Sequence, residues 1–221
     1  MFDNVTVIGS GHVGSAVAAR LRERGVGVGP NGDLRLLCVP DSAIAEVARG
    51  IEPGPWVAHV SGATTLAALD PHERRFSVHP LQTFTRARGP EQLDGAWAAV
   101  TAETDEARQR ALWLARTLGL EPFPLPDEAR PLYHAAAAIA SNYLVTLYRT
   151  AAGLFEQAGA PPEALVPLMR RVVENDFELT GPISRGDWTT VDRHVEALRE
   201  LAPEVEPMYR ALANVTAAKA L

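Results

Sequence analysis

A glycine-rich loop near the start of the chain constrains the fold more than any other feature of the sequence. Gly9, Gly11 and Gly14 have the spacing G-x-G-x-x-G, directly after the apolar run VTVI and at the start of a helical pattern. In this setting the first glycine allows a tight turn, the second lets a pyrophosphate approach closely, and the third lets the helix pack tightly. The motif therefore predicts a strand, a loop and a helix whose N-terminus binds the phosphates of a dinucleotide.

The segment after this helix is shorter than a dinucleotide-binding unit requires. Such a unit needs a second strand, a second helix and a third strand, with a charged residue about 20 positions past the glycines. Here VGVGPNG runs directly into DLRLLCV, so we expect no second helix and a second strand cut to residues 26–28 or lost. Asn31 and Asp33 lie near the position of the charged residue, but Pro30 and Asn31-Gly32 are typical of a turn. The choice between NADP and NAD stays open, and cofactor affinity is expected to be low or lost.

Alternating strand and helix patterns up to residue 126 predict repeated βα units around a parallel sheet. The predicted strands are VTVIG, LRLLCV, WVAHVS, RFSVH, AWAAVTA and EPFPL, and the predicted helices are 15–24, 42–49 and 106–118. From Asp127 onward only helical patterns occur, at 132–158, 162–177, 190–201 and 204–219. The predicted fold class is α/β: a Rossmann-like domain over 1–126 with a shortened second βα unit, and an all-α domain over 127–221.

Composition excludes several classes of function. The net charge of −6 and the scattered basic residues leave no basic stripe, so nucleic acid is not expected as a partner. The single cysteine, Cys38, excludes an intrachain disulfide framework, and no two histidines are four apart on a helix, so no metal site is expected. The apolar stretch at 135–155 carries Asn142 and Arg149, which favours a core helix over a membrane span. MFDNVTVIG has no targeting pattern, so we expect a cytoplasmic protein.

Polar residues follow several of the predicted strands at the edge where open parallel sheets bind their ligands. His59 and Ser61 are two apart on one strand end and point the same way, and His79 ends the next strand. We predict Ser61 as catalytic and His59 and His79 as substrate-binding, although each histidine is equally compatible with a core position. The predicted cofactor-binding residues are Gly9, Ser10, Gly11, His12, Val13, Gly14, Val39 and Pro40.

The helical half carries two further groups of candidates. At 100° per residue, His134, Ser141 and Asn142 share one broad face of the long predicted helix, and we predict His134 and Asn142 as catalytic. Hydrogen bonding between helices is an equally good explanation of Asn142. Arg185 is predicted to bind a substrate carboxylate together with Asp187, although Asp187 or Thr189 also suits a helix N-cap.

Six segments taken in order resemble a bacterial Rossmann-like family with a C-terminal domain of unknown function 2520, related to the 6-phosphogluconate, β-hydroxyacid and ketopantoate dehydrogenases. The segments are GSGHVG, VPDSAI, HVSGATTLAAL, SVHPLQTF, YHAAAAIASNYL and LTGPISRGDWTTVDRH. The resemblance implies an N-terminal NADP-type Rossmann domain and a C-terminal domain of the 6-phosphogluconate-dehydrogenase type. It also implies dimerisation through the long helix and a substrate cleft between the domains.

The resemblance also implies a reaction. In β-hydroxyacid enzymes the general acid is a lysine one helical turn before an asparagine; here Asn142 matches the asparagine, but Ala138 stands at the lysine position. We therefore predict an NADP(H)-dependent reductase of a small 2-oxo or 3-oxo acid, with His134 as the substitute proton donor. The alternative is a degenerate Rossmann protein that binds a nucleotide or metabolite without redox turnover, or a dimeric partner protein.

Overall fold

The computed structural model describes residues 1–219, and the chain divides after Ser141 into two units. The first unit contains a seven-stranded sheet in the order β2-β1-β3-β4-β5-β6-β7. Its strands are β1 (Asn4–Ile8), β2 (Gly27–Val28), β3 (Leu34–Leu37), β4 (Trp56–His59), β5 (Arg75–Leu81), β6 (Trp97–Thr101) and β7 (Glu121–Pro124). Its helices are α1 (His12–Glu23), α2 (Ile44–Arg49), α3 (Asp105–Thr117) and α4 (Arg130–Ala138), and short 3-10 turns lie between them. The predicted α/β fold is confirmed, and every predicted strand is present.

The shortening of the second βα unit is also confirmed. The strand β2 has two residues, pairs with β1 at the edge of the sheet, and is followed by five residues that cross β1 to reach β3. A parallel crossover ordinarily takes a dozen residues or more and includes a helix. Here the Gly32 backbone lies directly on β1, where an added Cβ would be 2.6 Å from the Thr6 nitrogen. The Thr6 hydroxyl donates to the Gly29 carbonyl at 2.8 Å and accepts the Gly32 N–H at 2.9 Å.

The sheet differs from the predicted parallel sheet in the direction of its last two strands. β1 to β5 are mutually parallel, but β6 runs antiparallel to β5, and β7 is again parallel to β6. The physical reason is the connection from Leu81 to Trp97, which contains only a loop and the 3-10 turn Pro90–Leu93. An antiparallel neighbour can be reached without a helix on the face of the sheet, whereas a parallel one requires a crossover.

Helices cover the two faces of the sheet unequally. On one face α1 and α3 pack against a core that includes Val5, Leu34, Phe76 and Leu114. On the other face α2 covers a smaller core around Leu37, Ile44 and Val57. Alternate residues of each strand point to opposite faces, so His59, Ser77 and His79 lie on the face that α1 and α3 do not cover.

The second unit is helical, as predicted. Its elements are α5 (Leu144–Gln157), α6 (Leu165–Glu174), α7 (Trp188–Leu201) and α8 (Glu206–Lys219). The predicted helix over 132–158 is present, but Ile139–Tyr143 form a π-helical segment between α4 and α5. The predicted domain boundary at residue 127 marks the point where strand patterns give way to helical ones. By its contacts, however, α4 belongs with the sheet, and the two units divide after Ser141. Among the described residues, no helix has the length and apolar character needed to cross a membrane.

The crossover predicts a specific sensitivity to substitution. Gly32→Ala should lower the free energy of unfolding by about 1–3 kcal/mol, because the added methyl group overlaps the backbone of β1. Gly29→Ala is the matched control in the same loop: no atom lies within 4 Å of its added Cβ, so its change should stay within about 1 kcal/mol. Urea unfolding of both variants measures the difference, and equal losses would contradict the proposed steric role of Gly32.

Candidate active site

The glycine loop has the geometry that a phosphate-binding turn requires. Gly9 has a φ of +115°, and a Cβ there would collide with the carbonyl of Cys38. A Cβ at Gly14 would collide with the carbonyl of Gly9, so α1 packs against its own loop. Gly11 is the N-cap of α1 and is open, with no atom within 4 Å of its Cβ position. The loop therefore leaves free space at the one glycine where a pyrophosphate must approach.

The other predicted cofactor residues surround this loop. Ser10 and His12 are exposed, and Val13 packs on the core of the sheet. Val39 and Pro40 follow β3 beside the loop: the Val39 nitrogen would lie 3.2 Å from a Cβ at Gly9. Burial raises the pKa of the neighbouring Cys38 thiol to about 12, so this free cysteine stays protonated at neutral pH.

The adenosine side of a dinucleotide site is reduced. Asn31 and Asp33 line a hollow with Met1, Gly54 and Arg74, residues that precede β1, β4 and β5. They therefore lie at the amino edge of the sheet, whereas the glycine loop lies at the carboxyl edge. Neither residue can bind a ribose whose pyrophosphate is held by the glycine loop. The residues present thus fit the phosphate half of a dinucleotide but supply no ribose-binding acid at the end of β2.

A buried guanidinium ties the start of α4 to the sheet. Arg130 is 0% exposed, pairs with Asp127 at 3.1 Å and donates to the Ser61 carbonyl at 2.7 Å and to the Thr101 hydroxyl at 3.0 Å. Asp127 in turn accepts the Leu66 N–H at 2.9 Å. Burial lowers the pKa of Arg130, and the Asp127 carboxylate opposes that shift. These contacts place the next turn of α4 over the ends of β4 and β5.

His59 and Ser61 are both buried at the end of β4. His59 is 0% exposed, its Nδ1 accepts the Ser61 N–H at 3.2 Å, and its Nε2 has no hydrogen-bond partner among the described residues. The Ser61 hydroxyl accepts the Thr64 N–H at 3.0 Å and lies 2.9 Å from the Thr64 hydroxyl. Ser61 therefore stabilises the turn after β4, and its hydroxyl is already engaged by that turn.

His79 and His134 meet across Gly62. Their ring centroids are 5.9 Å apart in an edge-to-face arrangement, and an added Cβ at Gly62 would lie 2.6 Å from His134 Cδ2 and 2.8 Å from His79 Nε2. His79 Nδ1 lies 2.8 Å from the Tyr133 hydroxyl. We call His59, His79, Tyr133 and His134 the histidine cluster. Three of the five residues predicted at strand ends and on the long helix, namely His59, His79 and His134, thus converge with Tyr133 at the carboxyl edge of the sheet.

Burial keeps most of this cluster uncharged. It lowers the pKa of His59 to about 3, with Arg130 adding to the shift. It lowers the pKa of His79 to about 4, with further contributions from His134 and Arg130. It raises the pKa of Tyr133 to about 12, against the opposing effect of Arg130. At neutral pH His59 and His79 are therefore neutral imidazoles, and Tyr133 keeps its proton for the hydrogen bond with His79.

The remaining predicted site residues belong to the second unit. Asn142 is exposed and lies in the π-helical segment, where a spacing of 100° per residue does not hold. Arg185 is exposed and donates to the Thr180 carbonyl within its own loop. Asp187 is the N-cap of α7: it accepts the Thr190 N–H at 3.1 Å and the Thr190 hydroxyl at 2.7 Å, which lower its pKa. The capping role that the sequence left open thus belongs to Asp187, and the substrate roles of all three stay predictions.

Sequence reasoning missed three residues of this site. They are Gly62, Arg130 and Tyr133. Gly62 directly follows Ser61, and Tyr133 directly precedes His134. Their position next to predicted site residues could have indicated that they belong to the site. Arg130 gave no signal beyond a nearby acid, Asp127, because its hydrogen-bond partners Ser61 and Thr101 lie 69 and 29 residues away along the chain.

Comparison with solved structures shows the same fold at low sequence identity. A Bacteroides fragilis protein to which NADP oxidoreductase activity has been ascribed matches at 21% identity and TM-score 0.81, covering 97% of this chain and 98% of that one. A Thermotoga maritima protein matches at 22% identity and TM-score 0.77, covering 98% and 97%. An NADH-preferring ketol-acid reductoisomerase from an uncultured archaeon matches at 17% identity and TM-score 0.64, covering 98% and 82%.

Comparison by sequence defines the family. No curated protein sequence matches the chain. The family model described as domain of unknown function, DUF2520, matches residues 96–216, which span β6 to α8 and include Tyr133 and His134. This match covers more than half of the 221 residues, and it agrees with the resemblance found in the sequence. The chain therefore belongs to the DUF2520 family.

Proposed function

We propose that this protein is an NAD(P)H-dependent reductase of a small 2-oxo or 3-oxo acid. The observation that carries the proposal is the placement of two groups at one edge of the sheet: the glycine loop follows β1, and the histidine cluster stands at the ends of β4 and β5. Ligands of open parallel sheets bind outside this carboxyl edge. A phosphate-binding turn beside a group of proton carriers is what the reduction of a carbonyl requires.

The histidine cluster supplies the proton for this reaction. When bound, the nicotinamide supplies a hydride to the substrate carbonyl carbon. His134 then donates a proton to the carbonyl oxygen as negative charge develops there. Because His79 is neutral, a charge on His134 meets no second imidazolium beside it. Tyr133 and Gly62 act as positioning residues: the first holds His79 through Nδ1, and the second leaves room for both rings.

The substrate class is proposed from the chemistry of further side chains. We propose that Asn142 assists at the carbonyl and that Arg185 binds the carboxylate, because amide and guanidinium groups suit those partners. Ser61, whose hydroxyl is engaged by the turn after β4, acts by holding that turn in place. One structural neighbour is named for a ketol acid, which has the same chemical functions. Ala138 replaces the lysine of β-hydroxyacid enzymes, so this chemistry depends on His134.

A second candidate function is favoured by the reduced adenosine side. The two-residue β2 and the missing acid at its end suit a protein that binds a nucleotide or small metabolite without turnover. A binding experiment separates the two functions only when it is followed by a turnover assay.

We also propose that the chain forms a homodimer through its helical unit. Several large apolar side chains are exposed there, among them Tyr143 at 59%, Leu144 at 45% and Val145 at 49%. A groove of about 650 Å³ between α5, α7 and α8 is lined mainly by apolar residues. Apolar surface of this extent is typical of an interface between subunits.

Cofactor binding tests the proposed function first. Titration with NADPH and with NADH, followed by nicotinamide fluorescence, should give saturable binding of at least one of them. Gly11→Asp should abolish it, because the new carboxylate repels the pyrophosphate. The variant should fold normally, since Gly11 has an ordinary extended backbone and aspartate is a favourable N-cap. No binding at millimolar cofactor would contradict the reductase proposal.

Substitution of His134 tests the proton donor. With an accepted 2-oxo acid, His134→Ala should lower kcat by about 10²-fold while the affinity for NADPH changes little. His194→Ala is the matched control, because His194 contacts Tyr209 within the helical unit and has no proposed role in catalysis. An unchanged kcat in His134→Ala would remove this residue from the mechanism.

Sedimentation equilibrium tests the dimer. The protein should sediment at twice the chain mass of 23.8 kDa, and Leu144→Arg should shift it to the monomer mass by placing a charge in the interface. A wild-type protein that stays monomeric at micromolar concentration would contradict the proposal.

A further inference from the structure

The loop that follows β5 brings two arginines to the glycine loop. Arg86 and Arg88 line a cleft of about 280 Å³ together with Ser10, Gly11, His12 and Ser15. Arg86 Nε donates to His12 Nε2 at 3.0 Å, so one guanidinium is fixed at the first residue of α1. We call this cleft, between α1 and the loop 85–90, the arginine cleft.

The loop that carries the arginines is held firmly to α1. The guanidinium of Arg20, a residue 4% exposed, pairs with the Asp94 carboxylate and donates to the Pro90 carbonyl at 2.8 Å. The buried side chain of Gln92 accepts the Thr85 N–H at 2.8 Å and donates to the Arg88 carbonyl at 2.9 Å. These bonds fix the backbone on both sides of Arg86 and Arg88, so little ordering is needed when a ligand binds.

The arginine cleft has an excess of positive charge in an acidic protein. The chain has a net charge of −6, yet no aspartate or glutamate lines the cleft. Within residues 1–219 neither Arg86 nor Arg88 forms an ion pair. Glu91, the nearest acid in the loop, is engaged with the Gly89 N–H at 2.9 Å. The α1 N-terminus adds the positive end of its dipole and the open space at Gly11.

We propose that the arginine cleft binds a phosphate group of the ligand, and that Arg86 and Arg88 replace the affinity lost with the adenosine side. The proposal rests on the proposed function for the identity of the ligand, but not for the chemistry of the cleft. Guanidinium groups bind phosphate oxygens through paired, charge-assisted hydrogen bonds. The bound group is either the bridging pyrophosphate of NAD(P)H or the 2′-phosphate of NADPH. Recognition in this protein therefore depends on phosphate charge and not on a ribose-binding acid after β2.

Inorganic pyrophosphate tests the cleft independently of any redox reaction. Calorimetric titration of the wild-type chain should show binding, and Arg86→Ala and Arg88→Ala should each weaken it about tenfold. Arg22→Ala is the matched control, because it removes one exposed arginine from α1 outside the cleft and should change affinity less than about twofold. All three side chains are exposed, and thermal unfolding verifies that the variants fold. Absence of pyrophosphate binding, or equal affinities in the three variants, would overturn the proposal.

Titrations with NADH and NADPH identify which phosphate is bound. Equal weakening for both cofactors in Arg86→Ala and Arg88→Ala assigns the cleft to the bridging pyrophosphate, and weakening for NADPH alone assigns it to the 2′-phosphate. Arginine-dependent pyrophosphate binding without turnover of any oxo acid would support the cleft and contradict the reductase. Turnover of an oxo acid with an unchanged KM for both cofactors in the two variants would support the reductase and overturn the role of the arginine cleft.

Discussion

The candidate active site depends on the buried ion pair between Arg130 and Asp127. A charged guanidinium at 0% exposure needs compensating partners, and here an ion pair and two hydrogen bonds come from three segments of the sheet unit. Its bond to the Ser61 carbonyl fixes the turn after β4, and its bond to the Thr101 hydroxyl fixes α4 over β6. Tyr133 and His134 follow within one turn of helix, so their position is a consequence of this anchor.

The same anchor explains the electrostatics of the histidine cluster. Arg130 is a fixed positive charge beside His59 and His79, and together with burial it keeps both imidazoles neutral. The neutral His79 keeps its hydrogen bond with Tyr133, whose own pKa is raised by burial. The cluster therefore holds His134 against a rigid, neutral pair of side chains.

The nucleotide side shows how a fold changes when one of its units is shortened. Without a helix between β2 and β3, the five-residue connection crosses β1 with the Gly32 backbone in direct contact with that strand. The residues that follow β2 therefore lie at the amino edge of the sheet. The glycine loop keeps its geometry because Gly9 and Gly14 pack against Cys38 and against each other, independently of β2. Positive charge lies instead on the loop 85–90, which faces the start of α1 and is held in place by Arg20 and Gln92.

Much of this protein was determined by its sequence. The glycine spacing, the alternation of strands and helices up to residue 126, the helical second half and the shortened second unit all follow from local periodicity and turn chemistry. His59 and His79 were predicted because strand ends of a parallel sheet meet at one edge, and His134 because it shares a helix face with Ser141 and Asn142. Only the tertiary structure decided the antiparallel β6, the engagement of the Ser61 hydroxyl in its own turn, the capping role of Asp187, and the parts played by Arg130, Tyr133, Arg86 and Arg88. The physical reason is that strand direction and the contacts of Arg130, Tyr133 and Arg86 join residues far apart in the chain, whereas sequence patterns report only on near neighbours. For Ser61 and Asp187 the sequence allowed both a local and a catalytic or binding use, and only the structure showed that the local one is made.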